Sequence, residues 1–456
     1  MHASRRKFLH GAGSMALGFL GLHRYAQNAG SVPVQGPVGS GYGPLRPDPG
    51  RIFDLPAGFD YQILSRTGER MDDGFLVPGA HDGAAAFAGR GGKTILIRNH
   101  ELLATDANRG PFGANNALPG PLERSLLYDG AGQGGTTTLI YDTRRRKLDR
   151  HFLSLAGTVR NCAGGPTPWN AWISSEETVQ RANTVYEKDH GFNFEVPASA
   201  ESLVEPVPLK AMGRFSHEAI AVEPSSGVIY QTEDRADGLL YRFIPNRKGN
   251  LRAGGRLQAL KIRGMEGVNT SNQMEQAIAA GRILDVDWID LDNVESPLDD
   301  LRSRGASRGA ARFSRGEGIW ADRRTIYFAC TDGGAAKAGQ IWRYTPSRFE
   351  GADRERQNPG RLELFIEPND KSRFENADNI TVSPWGDLIV SEDGPGANYL
   401  VGITPNGELY PLARNAMNES ELAGATFSPD ATTLFVNIQR PGLTLAITGA
   451  WKRGQA

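Results

Sequence analysis

The 456-residue sequence predicts an all-β fold, a six-bladed β-propeller with short helical insertions between the blades. Three observations favour this fold class. One hairpin pattern recurs six times along the chain. Several of these hairpins are followed by further apolar segments, which gives about four strands per repeat, as in a propeller blade. The 56 glycines and 27 prolines suit a chain of many short strands and tight turns.

The N-terminal segment has the layout of a twin-arginine export signal. Arg5 and Arg6 precede a short, glycine-rich apolar stretch that is too short to span a membrane. We therefore predict a signal peptide over residues 1–30, a linker over residues 31–50 and a single β-propeller domain over residues 51–450. This export route predicts a periplasmic or secreted protein.

The six hairpins share one plan: a short apolar strand, a turn, and a second apolar strand that ends in an acidic or polar residue. They are "HDGAAAFAGRGGKTILIRNHE", "NCAGGPTPWNAWISSEE", "SHEAIAVEPSSGVIYQTED", "GEGIWADRRTIYFACTD", "ADNITVSPWGDLIVSED" and "AGATFSPDATTLFVNIQ". A β-sandwich also uses short strands, but it would not repeat one hairpin in this way. Between the third and fourth hairpins, "SNQMEQAIAAGRI" predicts a short inserted helix, capped by Ser271 and ended by Gly281.

Acidic residues occupy equivalent positions in these hairpins. Because paired strands are antiparallel, the start of the first strand and the end of the second lie at one edge, and a propeller gathers these edges around one mouth. The strand starts carry Asp82, Cys162, Glu218, Glu317, Asp378 and Gly424. The strand ends carry Glu101, Glu177, Asp234, Asp332, Asp393 and Gln439. Cys162 therefore stands in register with carboxylates.

So many carboxylates around one mouth would repel one another unless cations neutralise them. Carboxylate oxygens suit hard ions such as Ca²⁺, and one thiolate shifts its neighbours' preference toward a transition metal. Two plainer interpretations stay open. The acids could cap turns or pair with arginines at blade edges, and Cys162 could form a disulfide with Cys330.

Arg315 stands two residues before Glu317, so both side chains face the same way in a strand. A guanidinium beside a metal cluster has the fork of donors that a phosphoryl oxygen accepts. The alternative is a simple Arg315–Glu317 salt bridge.

The balanced charge and the absence of several motifs exclude some classes of protein. Lys and Arg total 51 against 52 Asp and Glu, so no bulk field attracts nucleic acid, and no apolar run in the mature chain is long enough to span a membrane. The sequence also lacks a phosphate-binding P-loop, a G-x-S-x-G nucleophile turn and an H-E-x-x-H helix. We expect a monomer that acts on small molecules.

The combination of these features resembles the PhoX-type alkaline phosphatases. The segments that carry the resemblance include "LPAGFDYQILSRTGE", "IRNHE", "NCAGGPTPWNAWISSEE", "GRFSHEAIAVEP", "SRGEGIW" and "FENADNITVSPWGDLIVSEDG", and they span nearly all of the mature chain. The resemblance implies a six-bladed propeller whose mouth holds Fe(III) and Ca²⁺, and hydrolysis of phosphate monoesters with some diesters. It implies that Cys162 ligates iron and that Arg315 and Glu317 act in catalysis. By motif match, it adds as metal ligands Glu101, Glu176, Glu177, Glu218, Asp234, Glu317 and Asp378.

Two other classes of propeller fit part of this pattern. A calcium-dependent lactonase or phosphotriesterase needs carboxylate ligands but no thiolate. A non-catalytic binding propeller uses calcium only to hold its blades together.

Overall fold

In a computed structural model, the protein is described over residues 41–113 and 122–452, and these residues are mostly β-strand. The predicted signal peptide, residues 1–30, lies outside the described residues. Leu45–Arg46, which falls within the predicted linker, forms a short strand. Within the described ranges, no helix is long and apolar enough to cross a membrane.

The strands of the described chain are short, and most are joined to the next by a tight turn. In chain order they are β1 (Leu45–Arg46), β2 (Phe53–Pro56), β3 (Phe59–Arg66), β4 (His81–Ala88), β5 (Thr94–His100), β6 (Gly134–Asp142), β7 (Lys147–Thr158), β8 (Asn161–Pro166), β9 (Ala171–Glu176), β10 (Asn193–Pro197), β11 (His217–Val222), β12 (Ile229–Glu233), β13 (Gly238–Leu239), β14 (Tyr241–Pro245), β15 (Gly255–Ile262), β16 (Ile283–Leu291), β17 (Arg312–Phe313), β18 (Gly316–Asp322), β19 (Thr325–Cys330), β20 (Gln340–Thr345), β21 (Arg361–Ile366), β22 (Ala377–Val382), β23 (Leu388–Glu392), β24 (Tyr399–Ile403), β25 (Leu409–Asn415), β26 (Leu422–Phe427), β27 (Thr433–Ile438) and β28 (Leu443–Gly449).

Helices are few in the described residues. One α-helix, α1, covers Leu301–Ser307. The short 3-10 helices are Arg90–Gly92, Ala104–Arg109, Arg124–Leu126, Lys210–Met212, Leu251–Ala253 and Asp353–Gln357.

Most strands pair in antiparallel, up-and-down order. Strands β4 to β7 form one four-stranded sheet, and β26, β27, β28 and β3 form another. Strands β22 to β25 continue into β2 and β1, and β8 to β10 form a three-stranded sheet. Strand β16 pairs with β15 and β21, so it joins the sheet that starts at β11 to the sheet that starts at β18. The all-β, propeller-like arrangement predicted from the sequence is confirmed.

The first strand of each predicted hairpin lies at the inner edge of its sheet. These strands are β4, β8, β11, β18, β22 and β26; each packs against the next, and β26 packs against β4. Small residues allow the close approach. A Cβ added to Gly83 of β4 would lie 2.6 Å from Cα of Ala163 in β8, and one added to Gly318 of β18 would lie 2.7 Å from the carbonyl oxygen of Asp378 in β22.

The hydrophobic core fills the spaces between neighbouring sheets. In one cluster, Phe328 and Trp342 pack with Tyr230 and Leu260, and all four side chains are fully buried. Burying one such large side chain contributes about 1.5–3 kcal/mol, so these layers hold each sheet against the next.

The predicted helix over residues 271–283 is wrong. The segment is non-helical up to β16, and the α-helix of this insertion is α1, further along the chain. The Asn272 side chain explains the difference: its Nδ2 donates to the Ile278 carbonyl oxygen at 2.6 Å, and its Oδ1 accepts from the Ile278 N–H at 3.1 Å. A side chain that takes over backbone bonds in this way competes with a helix.

Candidate metal centre

A β-bulge lies near the start of every inner strand. The bulge residues include the predicted strand-start positions Asp82, Cys162, Glu218, Glu317, Asp378 and Gly424. A bulge places two residues opposite one on the partner strand and thereby re-aims a side chain. Because the bulge recurs at the same place in each hairpin, the five acidic or thiol side chains among these residues are brought to one mouth.

Four acids lie just beyond the ends of the second strands of their hairpins. Glu101, Glu177, Asp234 and Asp393 each come directly after the last residue of β5, β9, β12 or β23. Successive residues of a strand point to opposite faces, so the residue before each of these points away. In each of these hairpins, the acid just after the strand therefore faces the mouth, and the last residue of the strand does not.

Glu176, which the family resemblance predicts as a metal ligand, is not among the described side chains whose ligand atoms gather at the mouth. Its fully buried carboxylate accepts from His190 Nδ1 at 2.6 Å and from the backbone N–H groups of Gly191 at 2.8 Å and Val159 at 2.9 Å. These bonds hold the start of the next strand, so Glu176 has a structural place in the sheet wall.

Among the described residues, four groups of side chains place their ligand atoms within 4.8 Å of one another. The groups are Cys162–Glu177–Glu218, Glu218–Glu317–Asp378, Asp378–Asp393–Glu421 and Asp82–Glu101–Glu421. Glu218, Asp378 and Glu421 each belong to two groups. The four groups are therefore linked in one continuous series.

Burial and mutual repulsion raise the pKa values of several of these acids. Removal from water, with the carboxylates of Asp378 and Glu177, raises the pKa of Glu218 well above its ordinary value. Burial likewise raises the pKa of Glu317, and burial with the nearby Asp393 raises the pKa of Asp378 to about 7. Without a cation, burial and mutual repulsion therefore favour the protonated forms of these acids.

Cys162 lies between two of these acids. Its Sγ is 3.3 Å from Oε1 of Glu218 and 3.7 Å from Oδ1 of Asp82. Burial, followed by these two carboxylates, raises the pKa of the Cys162 thiol. The other oxygen of Glu218, Oε2, is buried without a hydrogen-bond partner in the described residues.

This donor set fits bound metal ions. The unpartnered Glu218 oxygen could coordinate a cation. A bound cation would also favour the ionised forms of the thiol and carboxyl groups, because these groups bind metals in their deprotonated forms. One group offers sulfur with oxygen, and the other three offer oxygen alone.

Arg315 binds acids from two hairpins. Its Nε donates to Asp234 Oδ1 at 2.9 Å, and its Nη2 donates to Asp234 Oδ2 at 3.1 Å and Glu317 Oε1 at 2.9 Å. Burial lowers the pKa of Arg315, but these carboxylates outweigh it and raise the pKa above the ordinary value. Asp234 is held by Arg315 and stands outside the four groups.

Arg160 was missed by the sequence reasoning. Its Nε donates to Glu101 Oε1 at 2.9 Å, its Nη2 donates to the same oxygen at 2.6 Å, and Nη2 also donates to Glu177 Oε2. The signal was its spacing: Arg160 precedes Cys162 by two residues, as Arg315 precedes Glu317.

Glu421 was also missed. It stands three residues before Gly424, in the hairpin that has no acid at its own bulge, and it supplies a carboxylate to two groups. The nearest signal in the sequence is that this hairpin has a glycine, Gly424, where the others have an acid or a cysteine. Gln439, from the same hairpin, donates from Nε2 to Asp82 Oδ2 at 3.0 Å and Glu101 Oε2 at 2.9 Å.

Other predicted positions lie away from the groups. The fourth hairpin places Thr331 directly after β19, so Asp332 is one residue out of register. The Cys162–Cys330 disulfide is not formed: both cysteines are free, and Cys330 is fully buried in the core cluster that contains Trp342.

Sequence comparison decides the family. The family model described as "Alkaline phosphatase PhoX" matches residues 40–442. The chain belongs to this alkaline phosphatase PhoX family. The match confirms the resemblance seen in the hairpin motifs and supports a phosphatase. Among curated proteins, none matches this sequence significantly.

Solved structures of similar fold were also found. PhoX from Pseudomonas fluorescens, in complex with the transition state analogue vanadate, is 18% identical with a TM-score of 0.65, covering 88% of this chain and 96% of that one. This likeness shows the shared fold. A gluconolactonase from Xanthomonas campestris is 14% identical with a TM-score of 0.40, covering 92% of this chain and 100% of that one. Virginiamycin B lyase from Staphylococcus aureus is 12% identical with a TM-score of 0.38, covering 86% and 100%.

Proposed function

We propose that the protein is an exported, metal-dependent alkaline phosphatase that hydrolyses phosphate monoesters, and some diesters, at the mouth of a six-bladed propeller. The observation that carries this proposal is the linked series of four metal-ligand groups beside Arg315. The six inner strands, each packed against the next, support the number of blades.

The donor chemistry supports Fe(III) and Ca²⁺ as the metals. The group Cys162–Glu177–Glu218 contains the sulfur ligand that favours a transition metal. The three all-carboxylate groups suit Ca²⁺, which takes oxygen ligands. Bound ions of this kind would supply positive charge for phosphoryl oxygens and lower the pKa of water to give a nucleophile.

Arg315 and Glu317 have distinct tasks in this proposal. Asp234 and Glu317 accept from Nε and Nη2 of Arg315 and so fix the plane of the guanidinium. Its Nη1 has no hydrogen-bond partner in the described residues, and the side chain is 38% exposed. Arg315 would therefore direct Nη1 at a phosphoryl oxygen and offset the charge that develops during transfer.

Metal analysis combined with a phosphatase assay tests the proposal. We expect purified protein to contain iron and calcium, to hydrolyse p-nitrophenyl phosphate, and to lose that activity on chelation. Calcium without iron, together with lactone or phosphotriester hydrolysis, would favour the lactonase class. Absence of turnover for any phosphate ester, with lower stability after chelation, would favour the binding propeller.

Replacement of the sulfur ligand tests the iron assignment. Cys162→Ala should remove the thiolate, so iron content and the thiolate-to-iron absorption band should both fall. Cys330→Ala is the matched control, because Cys330 lies in the core and belongs to none of the four groups. Unchanged iron content in Cys162→Ala would overturn the assignment.

A further inference from the structure

We propose that Arg160 is a second anion-binding residue of the metal centre, which donates to an oxygen of bound phosphate together with Arg315. The inference rests on the proposed phosphatase function and names a residue that the motifs did not indicate. The ligand chemistry is a tetrahedral oxyanion, either the phosphoryl group of an ester or the inorganic phosphate released from it.

Arg160 and Arg315 occupy the same place in their hairpins. Each precedes its bulge residue by two positions, and each has a left-handed backbone, with φ of 50° and 51°. Ala80 and Asn376 have the same conformation at the corresponding positions of the first and fifth hairpins. Four of the six hairpins therefore share this backbone conformation, and it does not require an arginine. The guanidinium is what the second and fourth hairpins add to it.

The two guanidinium groups also distribute their donors alike. In each, Nε and Nη2 bind carboxylates: Glu101 and Glu177 for Arg160, Asp234 and Glu317 for Arg315. In each, Nη1 is without a hydrogen-bond partner in the part of the chain that the structure describes. Each side chain is 38% exposed. Two preorganised N–H pairs are therefore available at the mouth.

Each arginine contacts an acid that shares a ligand group with Glu218. Glu177, which binds Arg160, belongs to the group with Cys162 and Glu218, and Glu317, which binds Arg315, belongs to the group with Glu218 and Asp378. A phosphate held near Glu218 has several terminal oxygens. Each Nη1 would donate to a different one of these oxygens.

A purely structural role is the competing explanation. Arg160 could serve only to neutralise Glu101 and Glu177, since acids left unpaired at a buried site are costly. Loss of Arg160 would then reduce metal content or stability, and phosphate binding would change only as the metal content changes.

Phosphate binding at equal metal content separates the two explanations. Inorganic phosphate is titrated calorimetrically into the metal-loaded wild-type protein and into Arg160→Gln and Arg160→Lys, each checked for iron and calcium by elemental analysis. The control is Arg145→Gln, which removes an arginine that is 79% exposed at the turn between β6 and β7, at the far end of its sheet from the mouth.

We expect Arg160→Gln to raise the Kd for phosphate about tenfold or more, because a hydrogen bond to a charged group is lost. Arg160→Lys should fall between wild type and Arg160→Gln, because it keeps the charge without the fork. Arg145→Gln should bind as wild type does. Wild-type affinity in both Arg160 variants at equal metal content would overturn the inference, as would affinity restored to wild type by reloading metal.

The wild-type protein distinguishes the inference from the function on which it rests. Hydrolysis of p-nitrophenyl phosphate by wild type, with unaltered phosphate binding in Arg160→Gln, would remove Arg160 from the site and leave the phosphatase intact. A wild-type protein that neither hydrolyses the ester nor binds phosphate would overturn both.

Discussion

In the proposed function, Arg315 is the residue that connects the mouth to phosphoryl transfer, and its contacts explain why it suits that role. Two carboxylates hold its Nε and Nη2, so the free Nη1 is fixed before any substrate arrives. Donors that are already oriented stabilise the transition state without the cost of reorganisation. The same contacts also form an ordinary ion-pair network, and only turnover separates the two roles.

We therefore predict that Arg315→Ala lowers kcat for p-nitrophenyl phosphate on the order of a hundredfold or more, the usual cost of removing one preorganised donor. Steady-state kinetics on protein of measured iron and calcium content gives the comparison. Arg145→Gln, far from the mouth, should leave kcat unchanged. Near-normal turnover in Arg315→Ala at full metal content would exclude this residue from the chemistry.

At the scale of the element, two neighbouring acids at the end of β9 face opposite ways and make different contacts. Glu176 is the last residue of the strand and binds His190 and backbone N–H groups inside the sheet. Glu177 follows it, contacts Arg160 and joins the group with Cys162. The sequence shows only two adjacent glutamates, so sequence reasoning kept both as ligands.

Substitution at these two positions should give opposite results. Glu176→Ala leaves buried N–H groups of Val159, Gly191 and Phe192 without acceptors, and we expect it to lower the free energy of unfolding by about 3–5 kcal/mol. Glu177→Ala should reduce metal content without destabilising the metal-free protein, because it relieves crowding among acids. Urea unfolding and elemental analysis measure the two effects. Equal stability loss in both variants would contradict the division of roles.

The hairpins could be predicted from sequence because each is local: apolar strands, turn residues and a terminal acid lie within about 20 residues. The bulge at each strand start was not predicted, since a shift in the pairing of the two strands leaves no mark in the alternation of apolar residues or in the turn residues. The helix over residues 271–283 failed for a related reason. The Asn272 side chain bonds to the backbone N–H and carbonyl of Ile278, and composition and periodicity do not reveal such bonds.

At the scale of the whole molecule, closure of the ring completes the centre. Glu421 comes from the last hairpin and Asp82 and Glu101 from the first, yet their ligand atoms lie within 4.8 Å of one another. The packing of β26 against β4 brings them together. Contacts between the two ends of a chain leave no local pattern, which explains why Glu421 was missed while the carboxylates in register were found.

Strand β3 closes the ring, because it comes from the N-terminal part of the chain and pairs with β28 along Phe59–Arg66. Removing residues 1–66 would leave β28 as an exposed edge and take Phe53, Leu55 and Leu64 out of the core. Each buried side chain of this size contributes about 1.5–3 kcal/mol, against a typical total stability of about 5–15 kcal/mol. We therefore expect a chain that begins at Thr67 to aggregate or to lose cooperative unfolding, whereas one that begins at Gly41 should keep both β3 and the wild-type transition. Circular dichroism melts and size-exclusion chromatography compare the two chains, and a cooperative, monomeric Thr67 chain with the wild-type melting temperature would show that the ring does not depend on β3.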